Sequence, residues 1–296
     1  MAHLEVTTKI GCKPNMCEYC PQERLMEAYA KGCGDTYFSL EDFKRCIESV
    51  PPEMDIHFTG YVEPFMNPKC DDMMIYAYNK GHKVQTNTTL MGMRKENFDK
   101  ISQLKFKDFK IHLPSGSLRE KIGTSAKSEK INDVCYSLSE KWLDLLDYVL
   151  LKDTPFQKDL HCHGSLHPQW WATTRLSFLS GRVKVANNIH SRAKNVGSLD
   201  HERVEENKTK HYNWRGRCGR IYCNVLIPNG DLQLCCNDYG LEAKVGNLLE
   251  QTYVEIRQSP AFIAIEKDGH DLCDYCEQGV SMLDPSYQDV WKEENY

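Results

Sequence analysis

Apolar and polar residues alternate in two distinct rhythms along the N-terminal two thirds of the chain. Runs with a period of two predict strands at about Leu4–Ile10, Met54–Thr59, His82–Thr86, Phe109–Leu113, Tyr148–Leu151 and Val183–Asn187. Segments with apolar residues every three to four positions predict helices at about Gln22–Lys31, Leu40–Ser49, Cys70–Lys80, Lys95–Leu104 and Glu129–Leu146. Strands and helices therefore follow one another in regular succession.

This succession predicts the fold class. Six strand–helix units in this order are typical of an α/β protein whose parallel strands curl into a partial (β/α)6 TIM-like barrel with right-handed crossovers. In such a barrel the active site lies at the carboxyl ends of the strands. The residues that follow each predicted strand are therefore the candidates for an active site.

Three cysteines follow the first predicted strand. Cys12, Cys17 and Cys20 have the spacing C-x4-C-x2-C, and three thiolates on one loop can bind three irons of a [4Fe-4S] cluster. The fourth iron then stays open for a ligand from outside the protein, which is typical of a catalytic site. A zinc knuckle or a set of buried thiols is the alternative interpretation.

A second group of cysteines follows a polar, charged stretch at 201–217, which reads as a linker. The turn Pro228-Asn229-Gly230 between two alternating runs predicts a β-hairpin. Successive strand residues point to opposite faces, so adjacent Cys235 and Cys236 cannot both face one cluster. The other cysteines of this group are Cys218, Cys223, Cys273 and Cys276.

Composition limits the cellular compartment and the classes of binding partner that we expect for this protein. Fourteen cysteines among 296 residues indicate either disulfides or metal in a reducing environment. The start of the sequence has no basic segment followed by an apolar one, and the apolar run from Trp142 to Leu151 is interrupted by Asp144 and Asp147. We therefore expect a cytoplasmic protein that binds no membrane. A net charge of −5 with both signs interspersed argues against nucleic acid as a partner.

The first cysteine group resembles the cluster loop of the radical S-adenosylmethionine (SAM) enzymes, which is usually C-x3-C-x2-C with an aromatic residue before the last cysteine. Tyr19 fits that position, and one extra residue lies between Cys12 and Cys17. The resemblance implies that Gly60, Tyr61 and Glu63, in a segment ending Glu-Pro after the second strand, bind the amino group of SAM. It also implies that Asn87 and Ser115 contact SAM.

The C-terminal cysteines resemble those of the SPASM and twitch domains appended to radical SAM enzymes. Cys218, Gly230, Cys235, Cys273 and Cys276 match that pattern in order, and the glycine spacing favours Cys235, with Cys223 and Cys236 as possible substitutes. The resemblance implies one auxiliary [4Fe-4S] cluster with four cysteine ligands. The predicted domains are a barrel at 1–200, the linker, a twitch-like domain at 218–284 and a tail at 285–296.

The resemblance also implies a reaction. SAM bound to the open iron is cleaved to a 5′-deoxyadenosyl radical, which removes a hydrogen from the substrate, and a reducing protein such as flavodoxin or ferredoxin supplies the electron. Twitch-bearing relatives include an aminocyclitol dehydrogenase, so a two-electron oxidation of a sugar or cyclitol is predicted, with the auxiliary cluster as electron acceptor. Arg192 is a candidate for substrate orientation or proton removal, or else an ordinary surface arginine.

Two other functions fit parts of the sequence. One is radical modification of a ribosomally made peptide. Such enzymes often carry a leader-binding domain ahead of the barrel; because the first predicted strand begins at about Leu4, we expect none to be fused here, and a separate leader-binding protein stays an alternative. The other is a non-catalytic iron–sulfur or zinc protein. His161-Cys162-His163 with His167 falls in a stretch predicted to be irregular, and we interpret these side chains as structural or substrate-facing.

Overall fold

The computed structural model describes residues 3–12, 15–32, 35–172, 180–186, 192–193, 195 and 219–276. Cys218, the predicted linker at 201–217 and the predicted tail at 285–296 lie outside the described residues. The domain boundaries therefore stay predictions.

One nine-stranded sheet organises the described residues, in the order β6-β5-β4-β3-β2-β1-β7-β8-β9. Strands β1 to β6 are parallel to their neighbours, β7 adds to the other edge of β1 in parallel, and β8 and β9 continue antiparallel. The strands are β1 His3–Val6, β2 Asp55–Phe58, β3 Val84–Thr88, β4 Asp108–His112, β5 Lys158–His163, β6 Val183–Ala186, β7 Cys223–Leu226, β8 Asp231–Gln233 and β9 Lys244–Asn247.

Helices connect the parallel strands, as the sequence pattern predicted. They are α1 Gln22–Ala30, α2 Leu40–Glu48, α3 Cys70–Asn79, α4 Lys95–Ile101, α5 Glu140–Leu151, α6 Gln169–Ala172, α7 Tyr253–Arg257 and α8 Pro260–Asp268. The Ser39 side chain begins α2 by accepting a hydrogen bond from the backbone N–H of Asp42. The predicted α/β class with a partial barrel and a small C-terminal hairpin region is confirmed.

The two faces of the parallel sheet differ in polarity. Apolar side chains on one face, such as Leu4, Val6, Ile56, Phe58 and Ile111, are buried in the core that the helices cover. The residues that alternate with them form what we call the inner face: His3, Glu5, His57, Asn87, His112, His161 and His163. A polar inner face leaves the barrel able to hold a polar molecule.

The fifth strand lies elsewhere than predicted. Tyr148–Leu151, predicted as a strand, forms the last turn of α5, which begins after Ser139, whose side chain caps Trp142 N–H. The apolar positions Trp142, Leu145, Leu146 and Val149 continue one helical face without a turn signal, so the helix continues through the predicted strand. The actual β5 is Lys158–His163, in the stretch predicted to be irregular.

Within the described ranges, no helix combines the length and the apolar character needed to cross a lipid bilayer.

Candidate active site

The cysteine loop after β1 folds back on itself. Asn15 N–H donates to the Cys12 carbonyl at 3.3 Å and Cys20 N–H donates to the Cys17 carbonyl at 3.0 Å. The Gln22 side chain at the start of α1 accepts a hydrogen bond from Cys12 N–H at 2.9 Å, and its amide donates to Cys20 Sγ at 3.2 Å. These contacts bring all three thiols to the wall of one cavity of about 210 Å³.

The same cavity collects most of the predicted site. Nine predicted residues lie in its wall, contributed by the cysteine loop, the segment after β2, strand β3 and the chain near residue 192. They are Cys12, Cys17, Tyr19, Cys20, Gly60, Tyr61, Glu63, Asn87 and Arg192. A second cavity of about 930 Å³ borders the three cysteines from the side of α1. The loop thus separates an inner chamber from a larger outer one.

The thiols of the loop need a cation nearby in order to ionise. Burial raises the pKa of Cys12 to about 12 and that of Cys17 well above its ordinary value, and neighbouring Cys20 raises both further. Thiolates are the form that binds metal, so a positively charged group must offset this cost. Three converging thiols fit the three protein ligands of a [4Fe-4S] cluster with one open iron.

Glu63 is held firmly beside the cavity. Its Oε1 accepts hydrogen bonds from Phe65 N–H and Thr88 Oγ1, and its Oε2 accepts from the backbone N–H and the Oγ1 of Thr89. Burial raises the pKa of this carboxyl, and the hydrogen bonds from Thr89 and Thr88 oppose the rise. Glu63 therefore ties the segment after β2 to the end of β3, and its contact with a SAM ammonium stays a prediction.

Gly60 packs the segment after β2 against the end of β1, and Tyr61 joins it to the C-terminal region. Gly60 has φ +48°, and a Cβ there would lie 2.2 Å from Thr7 Oγ1 and 2.9 Å from Thr7 N, so the close approach of the two segments requires glycine. The Tyr61 hydroxyl donates to the Cys235 carbonyl at 2.9 Å, and its ring lies 4.8 Å from that of Tyr239. Tyr61 thus extends from the cavity wall to the second cysteine group.

Tyr19 contacts two residues that the sequence analysis did not identify. Its hydroxyl donates to Glu120 Oε2 at 2.7 Å and lies 3.2 Å from His112 Nε2. Burial raises the pKa of Glu120 to about 7, although hydrogen bonds from Tyr19 and Ser115 N–H partly offset the rise. Tyr19 therefore anchors the cysteine loop to the segment after β4.

Three histidines line the inner wall of the cavity. The ring of His112 lies 4.9 Å from each of the rings of His161 and His163. Burial, and then repulsion from the neighbouring imidazoles, lowers the pKa of His112 well below its ordinary value and that of His161 to about 4. Both rings are neutral at pH 7. His161 and His163 alternate with buried Leu160 and Cys162 on β5. This alternation was the available strand signal, but the fifth strand was predicted at Tyr148–Leu151 instead.

Of the two residues predicted to contact SAM after β3 and β4, Asn87 lines the cavity and Ser115 does not. Asn87 places a buried Oδ1 in the cavity wall with no hydrogen-bond partner among the described residues. Ser115 Oγ accepts hydrogen bonds from the backbone N–H groups of Ser117 and Leu118 at 3.1 Å, and Ser115 does not line the cavity. Its hydroxyl shapes the turn after β4, and its contact with SAM stays a prediction.

Arg192 lies between the two cysteine groups. Burial lowers the pKa of its guanidinium, but nearby Tyr239, Cys236 and Cys20 raise it above the ordinary value overall. The side chain therefore stays charged and cannot accept a proton. This argues against proton removal by Arg192, and its role in substrate orientation stays a prediction.

Three of the predicted auxiliary cysteines come together. The thiol of Cys235 is buried, which raises its pKa, and its electrostatic neighbours include Cys276 and Cys273. Cys276 N–H donates to the Cys273 carbonyl at 3.2 Å, and the Asn237 side chain donates to Cys276 Sγ at 3.2 Å. A set of cysteines held in this way suits a second cluster.

The alternative ligands of the second cluster lie in other surroundings. Cys236 packs in an apolar cluster with Ile10, Leu25 and Tyr239, which favours Cys235 as the ligand. Cys223 Sγ lies 3.5 Å from His3 Nδ1 on the neighbouring strand.

The comparisons with known proteins concern the fold and the second cysteine group. Residues 218–278 match the SPASM family, described as an iron–sulfur cluster-binding domain. Comparison of the whole sequence with curated proteins returns no significant match.

Solved structures with the same fold are radical SAM enzymes. BtrN in complex with AdoMet and 2-DOIA has a TM-score of 0.56 and 13% identity, with 94% of this chain and 93% of BtrN covered. Streptococcus suis SuiB bound to its precursor peptide SuiA has a TM-score of 0.57 and 12% identity, with coverage of 93% and 71%. Native anSMEcpe with bound AdoMet has a TM-score of 0.53 and 12% identity, with coverage of 98% and 95%. The chain is thus a protein of the radical SAM fold that carries a C-terminal SPASM iron–sulfur cluster-binding domain.

Proposed function

We propose that the protein is a radical SAM oxidoreductase that removes two electrons from a secondary alcohol of a sugar or cyclitol, with the auxiliary cluster as electron acceptor. When bound, SAM and the N-terminal cluster supply a 5′-deoxyadenosyl radical that takes one hydrogen atom from the substrate carbon. The protein's own residues bind and orient the substrate, accept the hydroxyl proton and exclude water.

The observation that carries this proposal is the shared cavity. Cys12, Cys17 and Cys20 lie at one side of it, and the neutral imidazoles of His112 and His161 lie in its wall on the inner face. A reactive group held by the thiols would therefore face a surface of hydrogen-bonding side chains. Hydroxyl groups of a polyol are suitable partners for such a surface.

Unsatisfied polar atoms support binding of a polar cofactor in the same cavity. Asn15 Oδ1 and Asn87 Oδ1 are buried, and neither has a hydrogen-bond partner within the described part of the chain. Buried acceptors of this kind require a donor. The ammonium and ribose hydroxyls of SAM offer such donors, so the cavity fits SAM on the chemistry of both the thiols and the amides.

The neutral histidines suit the proton step. Oxidation of an alcohol carbon by one hydrogen atom and one electron releases a proton from the hydroxyl, and this proton needs an acceptor. Burial keeps His112 and His161 neutral, so each has a ring nitrogen that can accept this proton. The same burial lowers the pKa of both rings, so the imidazole passes the proton on to solvent rather than keeping it. The charged Arg192 cannot accept a proton, and we assign it to substrate orientation.

The related structures support both a small-molecule and a peptide substrate. BtrN holds 2-DOIA and SuiB holds the peptide SuiA, at nearly equal similarity to this chain. The closely spaced imidazoles of the inner face favour a small polar molecule. We further propose that the protein acts in the cytoplasm and that flavodoxin or ferredoxin reduces the N-terminal cluster from the side of the larger cavity.

Transfer of deuterium tests the proposal. The anaerobically reconstituted enzyme is incubated with SAM, dithionite and sugars or cyclitols deuterated at the carbinol carbons, and in parallel with deuterated peptides. We expect deuterium in 5′-deoxyadenosine and a ketone product from a polyol. Deuterium from a peptide alone would favour peptide modification, and the absence of SAM cleavage from the reconstituted enzyme would contradict radical SAM chemistry altogether.

A further inference from the structure

A second group of metal-ligating side chains lies on the inner face, outside the cavity of the cysteine loop. Glu5 on β1 stands directly opposite His57 on β2 in the parallel register, and His3 precedes Glu5 by two residues on the same face. One ligand atom from each of the three lies within 4.8 Å of those of the other two. Neither the proposed radical chemistry nor the two cysteine groups use these residues.

The spacing of the ligand atoms is long for a direct ion pair and matches that of two ligands on one metal ion. His3 Nε2 and Glu5 Oε1 are 3.4 Å apart, whereas a charge-assisted hydrogen bond is typically about 2.7–2.9 Å long. Two ligands that each lie about 2.0–2.1 Å from a tetrahedral zinc are separated by about 3.4 Å.

His57 supplies an independent observation. Its Nε2 is buried and has no hydrogen-bond partner within the described residues. A buried ring nitrogen that lacks a partner is uncommon in proteins and needs a ligand, an ion or a water. Because this nitrogen belongs to the same group as His3 and Glu5, a bound cation would satisfy it.

Cys223 orients the third ligand. Its Sγ lies 3.5 Å from His3 Nδ1 across the β1–β7 pair, so the other ring nitrogen, Nε2, faces Glu5. Metal-binding histidines commonly engage a second protein group through the nitrogen that does not bind the metal. The His3 side chain is 26% exposed and that of Glu5 is 8% exposed, so an ion can reach the group from solvent while remaining mostly enclosed.

From these observations we infer that His3, Glu5 and His57 bind one divalent transition-metal ion in a two-histidine, one-carboxylate arrangement. Nitrogen and oxygen ligands of this kind suit zinc, and three protein ligands leave one position for water. The three ligands lie on β1 and β2, whereas the cysteine loop follows the end of β1. Glu5 also acts electrostatically on Arg192, but no step of the reaction proposed above uses the metal.

Metal analysis of the full-length protein tests this inference. After both clusters have been reconstituted anaerobically, the protein is equilibrated with Zn²⁺ and desalted, and its zinc content and zinc X-ray absorption spectrum are measured. We expect one zinc per chain, with nitrogen and oxygen ligands at about 2.0–2.1 Å and the scattering pattern of imidazole. Absence of zinc, or a shell made of sulfur at about 2.3 Å, would overturn the inference, since sulfur would indicate zinc at the cluster cysteines.

Three variants locate the site. His57→Gln should lose most of the zinc while keeping the iron content, and Cys223→Ser should weaken zinc binding by about 10–100-fold. His161→Gln is the matched control, because it makes the same change on the same face of β5, and it should retain zinc. Equal zinc in His57→Gln and the wild type would contradict the assignment. If His57→Gln fails to fold, the imidazole scattering of the wild-type site still decides.

Discussion

The hydroxyl of Tyr239, in the SPASM region, lies 3.6 Å from Sγ of Cys20, the last cysteine of the N-terminal loop. The Tyr239 ring in turn lies 4.8 Å from the ring of Tyr61, whose hydroxyl donates to the carbonyl of Cys235. Two tyrosines thus connect a thiol of the first group with the backbone of the second. These three contacts pack the two proposed cluster sites against each other through the rings of Tyr239 and Tyr61.

We predict that Tyr239→Phe lowers the reduction potential of the N-terminal cluster. Hydrogen bonds to cluster sulfurs raise the reduction potential, so loss of the hydroxyl should shift the potential to more negative values. We expect a shift on the order of 59 mV, which corresponds to a tenfold change in the one-electron equilibrium constant. A redox titration followed by electron paramagnetic resonance measures the shift. Tyr29→Phe is the control, because Tyr29 belongs to the same apolar cluster but donates to the Asp35 carbonyl. Equal potentials in the wild type and Tyr239→Phe would rule out this role.

If the three thiols of the N-terminal loop bind a cluster, substitution of one of them should remove a defined amount of iron. Reconstituted wild-type protein should hold about eight irons per chain for two cubane clusters, and Cys17→Ala should hold about four and form no 5′-deoxyadenosine. Cys135→Ser is the matched control, because the hydrogen bonds of the Cys135 thiol go to the backbone carbonyls of Ser115 and Gly116 and not to a cysteine. Continued SAM cleavage by Cys17→Ala would refute the ligand assignment.

Substitution in the second group should separate the two halves of the reaction. Cys273→Ser removes a ligand of the proposed auxiliary cluster but leaves the cavity of the N-terminal loop unchanged. We expect formation of 5′-deoxyadenosine to fall by less than about tenfold, and oxidation of the substrate to fall much further. Quantifying both products in the same reaction gives the ratio, and an unchanged ratio would argue against an electron-acceptor role.

The buried imidazole of His161 predicts a dependence of stability on pH. Its pKa falls from 6.5 to about 4 on folding, because burial and then His163 disfavour the charged form. The unfolded chain therefore binds the proton more readily, so this contribution to stability is complete above pH 6.5 and is lost as the pH falls toward 4. The full loss is about 3 kcal/mol.

The comparison of His161→Gln with the wild type isolates this contribution. Anaerobic urea unfolding, followed by tryptophan fluorescence between pH 4 and pH 7.5, should give a flatter stability profile for the variant. Parallel profiles for the two proteins would show that His161 does not titrate in this way.

Gly60 predicts a steric effect at the junction of β1 and β2. Gly60→Ala places a Cβ 2.2 Å from Thr7 Oγ1 at φ +48°, so we expect a loss of about 3 kcal/mol or more from strain and clash together. Gly81→Ala is the control, because Gly81 also has positive φ (+96°) but has no atom within 4 Å of its added Cβ. It should cost about 1 kcal/mol. Equal losses in the two variants, measured by urea unfolding, would exclude the clash.

Local patterns explain which parts of the fold and site were predictable. The spacing of Cys12, Cys17 and Cys20 and the capping of α2 by Ser39 depend on residues close in sequence, so both could be read from the chain. Strand β5 could not, because the apolar face of α5 continues into Tyr148–Leu151 and no turn residue separates them. The polar alternation of Lys158–His163 was the correct strand signal.

Contacts between distant segments were beyond the reach of the sequence pattern. Tyr19 and Glu120 are 101 residues apart, and no sequence motif around either residue identifies the other as its hydrogen-bond partner. The same holds for His3 and Cys223, and for Tyr239 and Cys20. The last two pairs arise only when β7 and the segment after it add to the free edge of β1, and no local residue preference encodes that addition.

The pairing of β1 with both β2 and β7 has a consequence for synthesis of the protein. Residues 3–6 leave the ribosome long before residues 223–226, with which they pair. Until then one side of β1 exposes unpaired backbone groups, and such an edge invites association with other chains. The order of synthesis therefore leaves the nascent barrel vulnerable to aggregation until its last segment arrives.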